Sequence, residues 1–163
     1  ERGWEEEHRC PQGDKGLSQI MWVVDASVAV RWFLEDEKNV YADEVLARLV
    51  DEPTRFSIPE LFCFEVYSVL CRVHPAGQEV FETGLVPLLT GGMFRQPMDG
   101  PLAARAATYV RAGLTGYDAC YAALAEDVGG TWLTFDAKAH KMLSKMNISH
   151  LLSKGLPDTW FKD

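Results

Sequence analysis

From Met21 onward, short apolar runs alternate with longer stretches in which apolar residues recur every three to four positions. The short runs predict β-strands at 21–25, 55–58, 93–98, 131–135 and 147–151, since each is brief and rich in β-branched, aromatic or aliphatic residues. The longer stretches predict helices at 27–35, 40–51, 60–73, 76–90, 101–112, 117–128 and 137–145. Pro59, Pro75 and Pro101 stand near helix starts, where a missing N–H is tolerated, and Gly113 and the Gly129-Gly130 pair mark helix ends. Such alternation predicts an α/β domain with a mainly parallel sheet. Segment 74–100 has the least regular pattern, because Pro87, Gly91, Gly92 and Pro97 interrupt it.

Four acids break this pattern at informative places. Asp25 closes the run Met21-Trp22-Val23-Val24, Glu65 lies inside the apolar helix around Phe62 and Val66, Asp118 opens Ala119-Cys120-Tyr121, and Asp136 follows Trp132-Leu133-Thr134-Phe135. Carboxylates gathered in this way repel one another unless a cation holds them, so the set predicts a divalent-metal site. Each acid also has a plainer role. Asp25, Asp118 and Asp136 each stand where a helix N-terminus could be capped, with Ser27 an alternative cap for the first helix. Glu65, with Leu61, Phe62, Val69 and Leu70 near its face, points inward, where an ion pair with Arg72 or Arg31 is the structural alternative to metal. Asp25 has the further merit of standing at the carboxyl end of a strand, where open parallel sheets bind ligands. Thr134 supplies a hydroxyl suited to orienting a carboxylate or a water.

The chain has 163 residues, 47% hydrophobic and 25% charged, enough for one domain with a sizeable core. We expect the domain to occupy 21–163. Residues 1–20 carry Trp4, Glu5-Glu6-Glu7 and Pro11 and are expected to be a loose tail, an expression remnant or misassigned start ahead of Met21, with a short docking arm as the alternative. No stretch approaches the roughly 20 apolar residues of a membrane span. The four cysteines form no CxxC pair and are expected to be small core residues of a cytoplasmic protein, with Cys63 and Cys71 on one helix face. The histidines lack zinc spacing, no glycine-rich phosphate loop is present, and Ser27 and Ser68 lack the setting of a hydrolase nucleophile. The net charge of −8 argues against coating nucleic acid by bulk attraction. Beyond Thr131, however, Lys138, Lys141, Lys145, Lys154 and Lys162 outnumber the acids, so a local basic rim beside an acidic centre is one reading and a solvated helix face the other.

With these residues in view, the chain resembles the PIN-domain family over nearly all of 21–152, and within it the VapC-type toxins of toxin–antitoxin pairs. Val23-Val24-Asp25-Ala26-Ser27 is similar to the family's first strand and helix, and Pro59-Glu60-Leu61-Phe62 through Glu65-Val66 to its second acidic motif. Leu114-Thr115-Gly116-Tyr117-Asp118-Ala119 resembles the third, and Thr134-Phe135-Asp136 the fourth. The resemblance implies a three-layer α/β/α sandwich with a central parallel sheet, its first and fourth strands adjacent. It also implies a metal-dependent endoribonuclease site built from Asp25, Glu65, Asp118 and Asp136 around Mg²⁺ or Mn²⁺. On this view Asp25 and Asp118 bind metal directly, Asp136 directly or through water, and Glu65 acts as base or orients water. Ser27 and Thr134 support them, and Arg31, Lys138 or Lys141 contact RNA phosphates. A VapB-type antitoxin and a homodimer are the implied partners. The competing expectations are a PIN-like RNA- or protein-binding scaffold with weak or no catalysis, and a receiver-type phosphoryl-transfer domain. The latter favours adjacent acids after the first strand, where Asp25-Ala26-Ser27 has one.

Overall fold

The structure, a computed structural model, describes residues 19–162. The tail expected at 1–20 therefore lies outside the described residues except for Gln19 and Ile20. Five strands pair in parallel: β1 (Trp22–Val24), β2 (Phe56–Pro59), β3 (Phe94–Gln96), β4 (Thr131–Thr134) and β5 (Ser149–Leu151), in the order β3-β2-β1-β4-β5. Four fall inside the predicted runs, and β2 extends one residue, Pro59, beyond the run expected at 55–58. β1 and β4 are hydrogen-bonded neighbours with Val23 opposite Trp132 and Val24 opposite Leu133. The order reverses between them, so the crevice beyond their carboxyl ends is a topological switch point.

The helices are α1 (Ala26–Ala29), α2 (Val40–Asp51), α3 (Leu61–Val73), α4 (Gly77–Val80), α5 (Val86–Leu89), α6 (Gly100–Arg111), α7 (Gly116–Asp127) and α8 (Ala137–Leu143). Their starts are chemically marked. Asn39, Asp99, Thr115 and Asp136 each accept a backbone N–H from the first turn of α2, α6, α7 and α8, satisfying donors that a helix leaves free. The expected helix at 27–35 is shorter: α1 passes into a 3₁₀ turn at Val30–Trp32. The expected helix at 76–90 is α4 and α5 joined by a π turn, Phe81–Leu85. A π turn shifts the period of the apolar face, which accounts for the irregular pattern there.

α7 is buried from Ala119 through Ala125. It lies across β2, β1 and β4 on one face of the sheet, with α6 packed over it. Four alanines let it approach both neighbours closely, and its Tyr121 ring lies parallel to that of Trp132, centroids 5.5 Å apart at an interplanar angle of 5°. On the opposite face Trp160, from the 3₁₀ turn Asp158–Phe161, packs 5.0 Å from Trp22 and 6.4 Å from Phe56, and the Arg48 guanidinium of α2 covers its ring. Between α7 and β4 the chain passes Gly129, whose φ of 60° suits glycine. A Cβ on the adjacent Gly130 would come within 2.5 Å of the Met21 carbonyl oxygen. Cys63 and Cys120 are buried as expected, but Cys71 is exposed. Eight residues of helix leave it about 80° round from Cys63, so the two do not share a face.

Candidate active site

Asp25 and Thr134 end adjacent strands and are buried, at 7% and 0% exposure. The Asp25 side chain makes no capping bond to α1 although it holds the N-cap position. Instead its Oδ2 accepts from Ser27 Oγ at 2.9 Å and from Thr134 Oγ1. Each hydroxyl is itself anchored: the Phe135 N–H donates to Ser27 Oγ at 3.1 Å, and the Asp136 N–H donates to Thr134 Oγ1 at 2.9 Å. Burial pushes the Asp25 carboxyl above its ordinary range, the two hydroxyls oppose that, and the charge of Asp118 adds to it.

Glu65 is half-buried on α3 and accepts a 2.8 Å hydrogen bond from the Tyr121 hydroxyl of α7. The ion pair with Arg72 or Arg31 is not formed. Arg31 donates to the Ser27 carbonyl, lies 3.7 Å from Glu37 and stacks 4.0 Å over the Phe135 ring. Desolvation raises Glu65 to about 7; the Tyr121 hydrogen bond counters this, and the charges of Asp25 and Asp118 reinforce it. Asp118, in the first turn of α7, accepts from Thr115 Oγ1 at 2.7 Å while its own N–H donates to the same oxygen. Its carboxyl is raised by burial, against the Thr115 hydrogen bond, with Asp136 raising and Lys138 lowering it. Asp136 is exposed and accepts from the Ala139 N–H at 2.9 Å, so it caps α8 with one oxygen.

The four acids thus come from β1, α3, α7 and the end of β4 into one electrostatic neighbourhood, although they are up to 111 positions apart in the chain. Tyr121 belongs to it too. The sequence pattern places it only in an apolar stripe, yet a buried tyrosine hydroxyl requires a partner, and this was the available signal. Among the described residues no three His, Cys, Asp or Glu side chains converge closely enough to enclose a cation. The donor set nevertheless suits Mg²⁺ or Mn²⁺. It is all oxygen, and Mg²⁺ characteristically takes one or two carboxylates and keeps several waters, with no closed protein cage required. A pocket of about 490 Å³ lined by Leu61, Phe64, Glu65, Ser68, Val69 and Tyr117 opens beside Glu65.

The family model for the PIN domain matches residues 22–143. The chain belongs to the PIN domain family. No curated protein matches it. Among solved structures, this PIN domain is similar to FitAcB from Neisseria gonorrhoeae, with 18% identity, 83% of this chain and 100% of that chain covered, and a TM-score of 0.64. PAE2754 from Pyrobaculum aerophilum follows at 22% identity, 83% and 91% coverage and TM-score 0.55. VapC20 from Mycobacterium tuberculosis, a sarcin-ricin loop cleaving toxin, aligns at 14% identity, 74% and 93% coverage and TM-score 0.57. At these identities the likeness is one of fold, the α/β architecture with a central parallel sheet implied by the sequence motifs. Among the described residues no helix is long and apolar enough to cross a membrane.

Proposed function

We propose that this PIN domain is a metal-dependent endoribonuclease and the toxin of a toxin–antitoxin pair. The observation that carries the reading is the set of four carboxylates about the switch point, three of which, Asp25, Glu65 and Asp118, are raised by burial and further by the charge of other acids in the set, with Lys138 opposing this at Asp118. Such a cluster is costly without a cation to bind. The shared fold with VapC20, a toxin that cleaves the sarcin-ricin loop, supports RNA as the substrate.

Asp25 and Asp118 would hold the cation directly, Asp136 through its uncapped oxygen or a water, and Glu65 from the α3 side. When bound, Mg²⁺ or Mn²⁺ supplies Lewis acidity toward a phosphodiester oxygen and a water. Ser27 and Thr134 keep Asp25 in one orientation, so that no rotamer search precedes the reaction. Glu65, poised near neutrality, would take the proton of the attacking water as the water oxygen bonds to phosphorus and the bond from phosphorus to the leaving ribose oxygen breaks, that oxygen taking its proton from solvent. The carboxylates alone would repel RNA, which makes the protein inert without metal.

The exposed apolar side chains Phe64, Tyr117 and Met98, at 70%, 65% and 61%, suit protein partners, for which a VapB-type antitoxin and a second copy of the chain are our candidates. One observation favours the scaffold alternative: the absence of a closed three-carboxylate cage among the described residues. Cleavage of a structured RNA pool with Mn²⁺ or Mg²⁺, against EDTA and Asp25→Asn, separates the two. Metal-dependent cutting that vanishes in the variant is expected; no cutting, with equally poor metal binding by both proteins, would assign the domain to the scaffold class.

A further inference from the structure

Between Ala137 and Pro157 the chain contains no Asp or Glu, yet it carries Lys138, Lys141, Lys145 and Lys154 with His140 and His150. This stretch holds +4 on a chain of net −8, leaving −12 elsewhere. Its lysines also differ in their use from five of the nine other described Lys and Arg side chains, the remaining four, Arg72, Arg95, Arg111 and Lys162, being likewise without an ion pair among the described residues. Arg31, Lys38, Arg48, Arg55 and Arg105 each have a carboxylate partner, whereas Lys138, Lys141, Lys145 and Lys154 have no ion pair among the described residues and are exposed.

The topology gathers several of them at the site. α8 starts where β4 ends, which puts Lys138 on the carboxyl edge of the sheet, within reach of the Asp118 charge. β5 runs parallel to β4, so the turn Leu152–Lys154 that follows it returns to the same edge. Lys141 lies one turn along α8 from Lys138. His140 bridges the two elements, 2.9 Å from Ser149 Oγ of β5. Burial, and then the charges of His150 and Lys154, hold His140 below the usual imidazole range, which places Lys154 beside α8. An unneutralised cationic band therefore begins at the carboxylates and continues over α8 and the end of β5.

We propose that this band is a phosphate track: it holds the backbone of single-stranded RNA on the β5 side of the scissile bond, with Lys138, Lys141 and Lys154 as its contacts. The proposal rests on the nuclease reading above. An RNA is favoured over an acidic polypeptide because the band is continuous with the acids that would act on a phosphodiester, and unpaired lysines on an otherwise acidic surface fit a ligand whose charge repeats along its length.

The test is fluorescence anisotropy of a labelled short single-stranded RNA across a salt series, with all proteins in an Asp25→Asn background. The Lys141→Gln/Lys154→Gln pair is expected to bind on the order of tenfold more weakly at low salt and to flatten the log K against log [salt] slope by about 1.4, two contacts at about 0.7 each. The Lys38→Gln/Arg72→Gln pair, which removes equal charge from outside the band, should retain the wild-type slope. Equal changes in both pairs, or none in either, would overturn the track. Displacement of the RNA by polyglutamate as effectively as by unlabelled RNA would assign the face to an acidic polypeptide and overturn it as well. Cleavage by the otherwise wild-type protein with Mn²⁺ is scored separately, so loss of the track leaves the nuclease standing, and absence of cutting removes the nuclease reading without touching the binding result.

Discussion

Replacing Glu65 by Gln should stabilise the metal-free protein at alkaline pH and leave it unchanged in acid. Glu65 ionises near 4.5 in an exposed chain and at about 7 in the fold. Below pH 4.5 the carboxyl is protonated in both states and costs nothing. As pH rises from 4.5 to 7 the unfolded chain ionises first, and folded stability declines until the folded carboxyl ionises too. At 1.36 kcal/mol per pH unit the full span corresponds to about 3.4 kcal/mol; the side chain is half-exposed, and solvent screening reduces this to about 1–2 kcal/mol. Gln keeps an oxygen that can accept from Tyr121, so the charge is the main change. In EDTA the variant should therefore melt about 2–8 °C above wild type at pH 8, at about 2–4 °C per kcal/mol for a chain of this size, and level with it near pH 4.5. Saturating Mn²⁺ should reverse the order, since a cation at a hundred times its dissociation constant contributes about 2.7 kcal/mol to whichever protein binds it. A difference that is the same at both pH values, or a wild type more stable than the variant at pH 8 in EDTA, would refute the placement of Glu65 against Asp25 and Asp118.

Tyr121→Phe removes the Glu65 donor and leaves a buried ring; a loss of about 1–2 kcal/mol is expected, together with an upward shift of the acid limb of the pH–rate profile, because the lost bond favoured the ionised carboxyl. Melting curves and cleavage across pH check both, and an unmoved acid limb would remove Tyr121 from the site. Gly130→Ala drives a methyl toward the Met21 carbonyl at 2.5 Å and should cost about 2 kcal/mol, seen as a lower melting temperature with cleavage by the folded fraction unchanged.

The central strands were legible because they are short, largely apolar runs, and because parallel pairing buries both faces of β1, β2 and most of β4, whereas the edge strands β3 and β5, Phe94-Arg95-Gln96 and Ser149-His150-Leu151, are mixed in polarity and less buried. The bounds of α2 were legible to the residue, with Asn39 as its cap. The helical stretch 76–90 was legible but its division was not, since the π turn shifts the period of the apolar face partway along and blurs the pattern. At the site, Asp25, Ser27 and Thr134 could be named from their positions at strand ends, and Glu65 from its misfit on an apolar face. The hydroxyl of Tyr121 and the unpaired state of the α8 lysines depend on which elements meet across the sheet, which local spacing does not encode. The same holds for Trp160, which follows the expected last strand and yet closes the core over Trp22 and Phe56.

The shared hydroxyl of Thr134 has a further consequence. By donating to Asp25 and accepting from the Asp136 N–H, it ties the β1 acid to the β4 backbone in a single unit, while Glu65 and Asp118 are each steadied by one side-chain hydrogen bond from Tyr121 and Thr115. One half of the crevice behaves as a fixed jaw and the other as a movable one. On the proposed metal-binding reading, loading an ion would call for rotation of two carboxylates, motions of picoseconds to nanoseconds for side chains with access to solvent, and for no hinge in the backbone. Ion capture would accordingly be fast compared with any step that reshapes the RNA.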